Sequence, residues 1–375
     1  MSHAHPARRR QLRTWCPGDE RWQLHSVSGT QQPLLDLASN DYLGLSRHPD
    51  LVAAATAAMQ EEGVGAGGSR LVTGSRPGHD ALEQALATWL GRERVLLFPS
   101  GFQANIAAVT ALANRHSTVL ADRLIHHSLL VGVQASGARL QRFAHNDLAD
   151  LERRLAACSE DARPLVISES LFSMEGTSPD LEALAGLCAQ HDARLLIDEA
   201  HALGVLGRGG RGLGHGLPHP VDLISGTFGK AFGSGGAFLA GDAAMGERLL
   251  QTSGAFRYTT ALAPPLVAGA MAALKRIEAH PHWGDQLQSR ACRWRDALEE
   301  RGWPRPAGSG PILPLIVGRD EEALRLQQHL EHAGLLCVAI RPPTVPEGRA
   351  RLRIVLRLDL PDHALDTLLT ALATP

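Results

Sequence analysis

Lysine is nearly missing from this chain. Only Lys230 and Lys275 occur in 375 residues, so 35 of the 37 lysine-plus-arginine positions are arginine (37 minus 2). The chain also lacks an excess of positive charge. Its formal net charge of −2 offers no basic field to hold a nucleic-acid backbone or an anionic membrane surface. No apolar run approaches the roughly 18 residues of a membrane span, and the N-terminus has no apolar segment of the signal-peptide kind. The expectation is a soluble, cytoplasmic protein. The opening MSHAHPARRRQLRTW has no acidic residue before Asp19 and reads as a basic arm in preference to a transit peptide. Five cysteines (Cys16, Cys158, Cys188, Cys292 and Cys337) are scattered without a C-x-x-C pair, which excludes a zinc knuckle or redox dithiol and fits a reducing compartment.

From about residue 80, short apolar runs alternate with helical patterns, the signature of βα units on a mostly parallel sheet. RVLLF (94–98), STVLAD (117–122), PLVISES (164–170), RLLID (194–198), DLISG (222–226) and GGAFLAG (235–241) read as strands. FQANIAAVTALA reads as a helix whose first turn offers free backbone N–H groups, and a second helix is expected to start at Pro179. Beyond about 260 the pattern shifts to long helices and then GPILPLIVG, LLCVAI and RLRIVLRL, as in a smaller α+β unit. The expected division is an arm over 1–38, a large domain over 39–260 and a small domain over 261–375.

Two motifs point elsewhere and fail on context. DEAH (198–201) ends an apolar strand as in a magnesium-dependent NTPase, but no G-x-x-x-x-G-K-[ST] accompanies it to wrap phosphates. GVGAGG (63–68) matches the dinucleotide fingerprint G-x-G-x-x-G, yet a helical pattern precedes it where a strand is required. It reads as a loop permitting close backbone approach. His126 and His127 are adjacent but have no ligand-spaced partners, so no metal is expected.

The scarcity of lysine gives Lys230 its interest. Arginine neither loses its proton nor forms an imine, whereas lysine can do both. Lys275, in MAALKRIEA, reads as a solvated helix position. Lys230 lies in SGTFGKAFGSGG (225–236), among small residues that let a ligand approach the backbone. Asp198 closes a strand about 30 residues earlier, His201 follows on the same turn, and a helix opens at Gly101. An amine, a carboxylate and an anion-binding helix start are what pyridoxal 5'-phosphate requires.

The order of SNDYLGL (39–45), GAGGSRLVTGS (65–75), SGFQAN (100–105), ADRLIHHSLL (121–130), ESLFSMEG (169–176), DEAHALGVLG (198–207) and SGTFGKAFGSGG resembles the α-oxoamine synthases, over about residues 30 to 358. The resemblance implies an α/β fold of the fold type I pyridoxal-phosphate class: a mostly parallel central sheet with helices on both faces, plus a smaller C-terminal α+β domain. It implies an acyltransferase that joins an amino acid to an acyl thioester with loss of carbon dioxide. FAHND (143–147) and AIRPPTVP (339–346) are most similar to the biotin-synthesis branch. L-alanine and a pimeloyl thioester, on coenzyme A or an acyl carrier protein, are then the expected substrates, and a homodimer the expected assembly. A sister enzyme using glycine or serine would share the cofactor residues.

By the same resemblance Lys230 would carry the cofactor and move the α-proton. Asp198 would pair with the ring nitrogen, His201 with the phenolic oxygen, and His126, in preference to His127, would stack on the ring. Gly101, Phe102 and Thr227 would meet the phosphate, Ser173 would touch the cofactor, and Thr259 would reach the phosphate across a dimer interface. Asn40 and Arg353 would hold the amino-acid carboxylate, and Thr344 would meet the acyl donor. Arg8, Arg9 and Arg10 compete for the substrate-contacting arginine, with Arg8 the candidate.

Overall fold

A computed structural model describes residues 6–27, 32–159 and 163–373. The chain divides into two compact units. The larger comprises residues 45–172 and 178–284, and the smaller residues 1–44, 173–177 and 285–375. These bounds differ from the expected ones. Helix Pro264–Ala279 packs on helices Pro49–Glu62 and Pro77–Leu90 and so belongs to the larger unit, while the N-terminal segment through Gly44 clusters with the C-terminal residues. A change of pattern near 260 marked the start of long helices, not the edge of a core.

The larger unit is built on a seven-stranded sheet. Its spatial order is Arg94–Phe98, Ala237–Gly241, Leu223–Thr227, Arg194–Asp198, Leu165–Glu169, Thr118–Asp122 and Arg139–Phe143. Only Ala237–Gly241 runs against the others. Residues of opposite pleat, such as Leu96 and Leu97 or Leu196 and Ile197, are alike buried, so both faces are covered. That is why these strands read as continuous apolar runs without alternation. The strand Arg139–Phe143 escaped the sequence reading because RLQRF carries two arginines at the sheet edge. The expected helix at Pro179 starts at Leu181, where the Asp180 carboxylate caps the N–H of Ala183.

The smaller unit holds a three-stranded antiparallel sheet with Ala350–Val355 between Ile312–Gly318 and Val338–Ile340. A second sheet joins Trp15–Pro17, Gln23–Ser26, Leu34–Asp36 and the short strand Leu335–Leu336. Among the described residues no helix is long and apolar enough to cross a membrane.

Candidate active site

The parallel strands of the larger unit deliver their last residues to one end of the sheet, where α/β proteins characteristically bind ligands. There Asp198 ends one strand and Glu169 its neighbour, paired in register. Thr227 ends a third strand, and Phe98 leads through Ser100 into helix Gly101–Leu112. Together these ends enclose a cavity of about 180 Å³ lined by Gly101, Phe102, His126, Asp198, His201, Thr227 and Lys230. Asn105, Ser128, Glu169, Ala200, Ser225 and Gly226 complete its walls.

The helix start suits an anion. Ser100 is the N-cap, and its hydroxyl accepts the N–H of Gln103 at 3.3 Å. Gly101 and Phe102 are the first two helical residues, whose N–H groups have no intrahelical acceptor. A Cβ at Gly101 would lie 3.7 Å from the Thr227 Cβ, filling the space between the helix start and that threonine. The Thr227 hydroxyl donates to Gly236 O at 3.0 Å and accepts the N–H of Gly229 at 3.2 Å. This cradle, the adjoining amine of Lys230 and the carboxylate of Asp198 fit pyridoxal phosphate.

Asp198 is buried, and its two oxygens accept the N–H of Ala200 at 2.9 Å and Asn105 Nδ2 at 2.7 Å. The His126 ring opens onto the cavity while its Nδ1 faces Ser128. Partial desolvation holds the pKa of His126 below the ordinary imidazole value; Asp198 pulls it upward, and Lys230 and His127 push it down. Glu169 is buried and accepts the backbone N–H of His126. Burial first, and then the neighbouring Asp198 charge, raises its pKa well above the carboxylate range. Glu199, the fully buried residue that follows Asp198 in the chain, is pushed up to about 7, chiefly by desolvation.

The larger unit thus brings together Lys230, Asp198, His126, His201, Thr227, Gly101 and Phe102. Thr259 does not line this cavity; its hydroxyl lies 3.5 Å from Thr260 O. The remaining candidates belong to the smaller unit. There Arg353 donates through Nη2 to Asn40 Oδ1 at 2.9 Å and through Nε to the carbonyl of Ser173 at 2.6 Å. The expected carboxylate pair is therefore already joined. Arg8 forks onto Glu347 at 2.8 and 2.6 Å and also reaches Asp320, whereas Arg10 donates to the Thr344 hydroxyl at 3.0 Å. Of the three competing arginines, Arg10 is the one in contact with Thr344.

Asn105, Ser128 and Glu169 were missed as site residues. Asn105 was legible in principle: it stands four residues after Gly101, on the same face of an otherwise alanine-rich helix.

Comparison with known proteins agrees with this geometry. The model of the family "Aminotransferase class I and II" matches residues 32–372. The chain belongs to that family. Among curated proteins, the 8-amino-7-oxononanoate synthase of Chromohalobacter salexigens is 42% identical over 95% of this chain and 93% of its own. A Sphingomonas wittichii serine palmitoyltransferase structure superimposes with a TM-score of 0.91 at 29% identity, covering 96% of this chain and 90% of that one. Another serine palmitoyltransferase, solved with pyridoxal phosphate, also gives 0.91, at 27% identity over 96% and 91% of the two chains. Within the aminotransferase-like fold the chain is a pyridoxal-phosphate-dependent acyltransferase of the α-oxoamine synthase group.

Proposed function

We propose that the chain catalyses the decarboxylative condensation of L-alanine with a pimeloyl thioester, carried on coenzyme A or an acyl carrier protein, to give 8-amino-7-oxononanoate, carbon dioxide and the free carrier thiol, the new C–C bond replacing the acyl C–S bond. The observation that carries this reading is the cavity where one amine, Asp198, two imidazoles and a helix N-terminus converge. The substrate choice is supported by relatives of that name at 42% identity, against 29% for the serine palmitoyltransferase neighbour.

Bound pyridoxal phosphate supplies an electron sink for negative charge at the amino acid's α-carbon. The chain's own residues do the rest. The N–H groups of Gly101 and Phe102 receive phosphate oxygens, and the Thr227 hydroxyl turns from Gly236 to join them. Asp198 keeps the ring nitrogen protonated, and His201 donates to the phenolic oxygen. Lys230 Nζ anchors the cofactor, then takes the α-proton and later returns one to the same carbon. His126 covers the ring and donates to the ketone oxygen as carbon dioxide departs. Arg353 and Asn40 would hold the alanine carboxylate, a task suited to a guanidinium fork, and Ser173 would touch the cofactor. Thr344 meets the acyl donor, with Arg10 favoured over Arg8 by its existing hydrogen bond.

A homodimer belongs to the same proposal. Val64, Leu71, Val72 and Tyr258 are more than half exposed in the larger unit, an apolar set that a second copy would cover and that would bring Thr259 to the partner's phosphate. The test is to incubate cofactor-loaded enzyme with alanine and pimeloyl-CoA and identify the product by mass. Formation of 8-amino-7-oxononanoate with carbon dioxide is expected. Turnover of serine or glycine with another acyl-CoA, and none of alanine, would overturn the substrate assignment.

A further inference from the structure

We infer that Asn105 and Ser128 are positioning residues that fix His126 as its Nε2–H tautomer and tie it to Asp198 through one buried hydrogen-bond chain. This deepens the reading above and rests on it for the role of His126.

The direction of every bond in the chain is set by chemistry. Asn105 Nδ2 lies 2.7 Å from Asp198 Oδ2 and 2.9 Å from Ser128 Oγ. The opposite amide orientation would press Asn105 Oδ1 against a carboxylate oxygen, two acceptors in contact, so the NH₂ group must face Asp198. Its two hydrogens are then spent on Asp198 and Ser128. Ser128 Oγ, having accepted from Asn105, could still accept again, so its 2.7 Å bond to His126 Nδ1 takes its direction from the ring. The backbone N–H of Ser128, which can only donate, aims at the same Nδ1 from 3.3 Å and makes that nitrogen the acceptor, so the hydroxyl donates to it as well.

Two donors therefore converge on Nδ1. That atom must present its lone pair, and the ring's proton must sit on Nε2. Asn105, Ser128 and Asp198 are each at least nine-tenths buried, so water cannot easily replace a missing partner. The ring is left with a single N–H donor, which is what an oxygen bearing developing negative charge needs. The opposite tautomer would offer a lone pair to that oxygen and repel it. The backbone of His126 is held separately by Glu169, so the ring and its main chain have independent anchors.

The test uses cofactor-loaded protein labelled with ¹⁵N-histidine, with the His126 signals assigned by their loss in His126→Asn. Wild-type His126 is expected to show a protonated Nε2 and an unprotonated Nδ1. In Ser128→Ala only the longer backbone donor remains on Nδ1, so an Nδ1–H fraction should appear beside the Nε2–H form, and kcat for condensation should fall up to about tenfold, the worth of one buried hydrogen bond, with little change in KM for alanine. Asn105→Leu should perturb the tautomer likewise and weaken cofactor retention, since Asp198 loses a donor. An Nδ1–H signal in the wild type would overturn the inference, as would a Ser128→Ala enzyme with a pure Nε2–H ring and full kcat. Because the tautomer is read without substrate, a wild type that makes no ketone from alanine would defeat the proposed reaction while this measurement still judged the chain.

Discussion

Replacement of Glu199 by glutamine should change how stability depends on pH, and the size of the change follows from the site. Glu199 has no exposed surface, and its carboxylate accepts the N–H groups of Gly214 at 2.7 Å and Leu213 at 3.3 Å. Those bonds favour the charged form, but desolvation outweighs them and moves the group from 4.5 to about 7. Between these values the folded protein holds a proton that the unfolded chain has released, so raising the pH costs native stability. At about 1.4 kcal/mol per pH unit the full cost is about 3 kcal/mol, most of which accrues between about pH 5 and about pH 8. Glu199→Gln removes this dependence. It also turns an amide NH₂ toward one of the two N–H donors, an offset of about 1–3 kcal/mol that is the same at every pH. The assay is thermal or urea unfolding of cofactor-loaded wild type and variant at both pH values. Relative to the variant, wild type should lose about 3–5 °C of Tm on going to the higher pH. A difference between the two proteins that stays constant with pH, or a wild type that gains, would refute the reasoning.

Lys230→Arg should be as inactive as Lys230→Ala, because a guanidinium forms no imine and takes no α-proton; borohydride treatment followed by peptide mapping should label Lys230 in the wild type and nothing in either variant. Gly226→Ala should cost about 1–3 kcal/mol by overpacking, since its Cβ would meet Phe238 Cζ at 2.3 Å and Leu203 Cδ1 at 2.6 Å, both buried core side chains. Because Gly226 also lines the cavity, cofactor affinity should fall with the Tm. Arg353→Lys should raise KM for alanine about tenfold or more by replacing a planar fork with a point charge and leave KM for the acyl thioester nearly unchanged; equal effects on both would remove Arg353 from the carboxylate.

The central sheet was legible because strands buried on both faces leave continuous apolar runs, and RLLID matched strand Arg194–Asp198 residue for residue. The sheet edge was not, since RLQRF alternates too weakly to compete with its arginines. Lys230, Asp198, His201 and the helix start at Gly101 were readable as types of group at strand ends. What the sequence hid was the support behind them. Asn105, Ser128 and Glu169 are ordinary polar residues whose meaning comes from neighbours 23 to 93 positions away. The unit boundary at Gly284 was hidden for a similar reason: helix Pro264–Ala279 is assigned by what it packs on, not by its composition.

The rarity of lysine finds its physical ground in the charges around the cavity. Glu169 and Asp198 end adjacent parallel strands in register and face the same space. Two carboxylates so placed repel, and with burial the repulsion raises the pKa of Glu169, while two N–H donors converge on Asp198. The repulsion favours a cation among them, and Lys230, lining the same cavity, draws the pKa of Glu169 back down. An arginine would offset that repulsion too well: its permanently charged fork would settle bidentately on a carboxylate, as Arg357 does on Asp359 in the smaller unit, and remain there. A lysine at the same place offsets the charge as a single point and can give up its proton when covalent work demands it. A chain that elsewhere writes its cations as arginine therefore has a reason, set by Asp198 and Glu169 together, to keep an amine at residue 230.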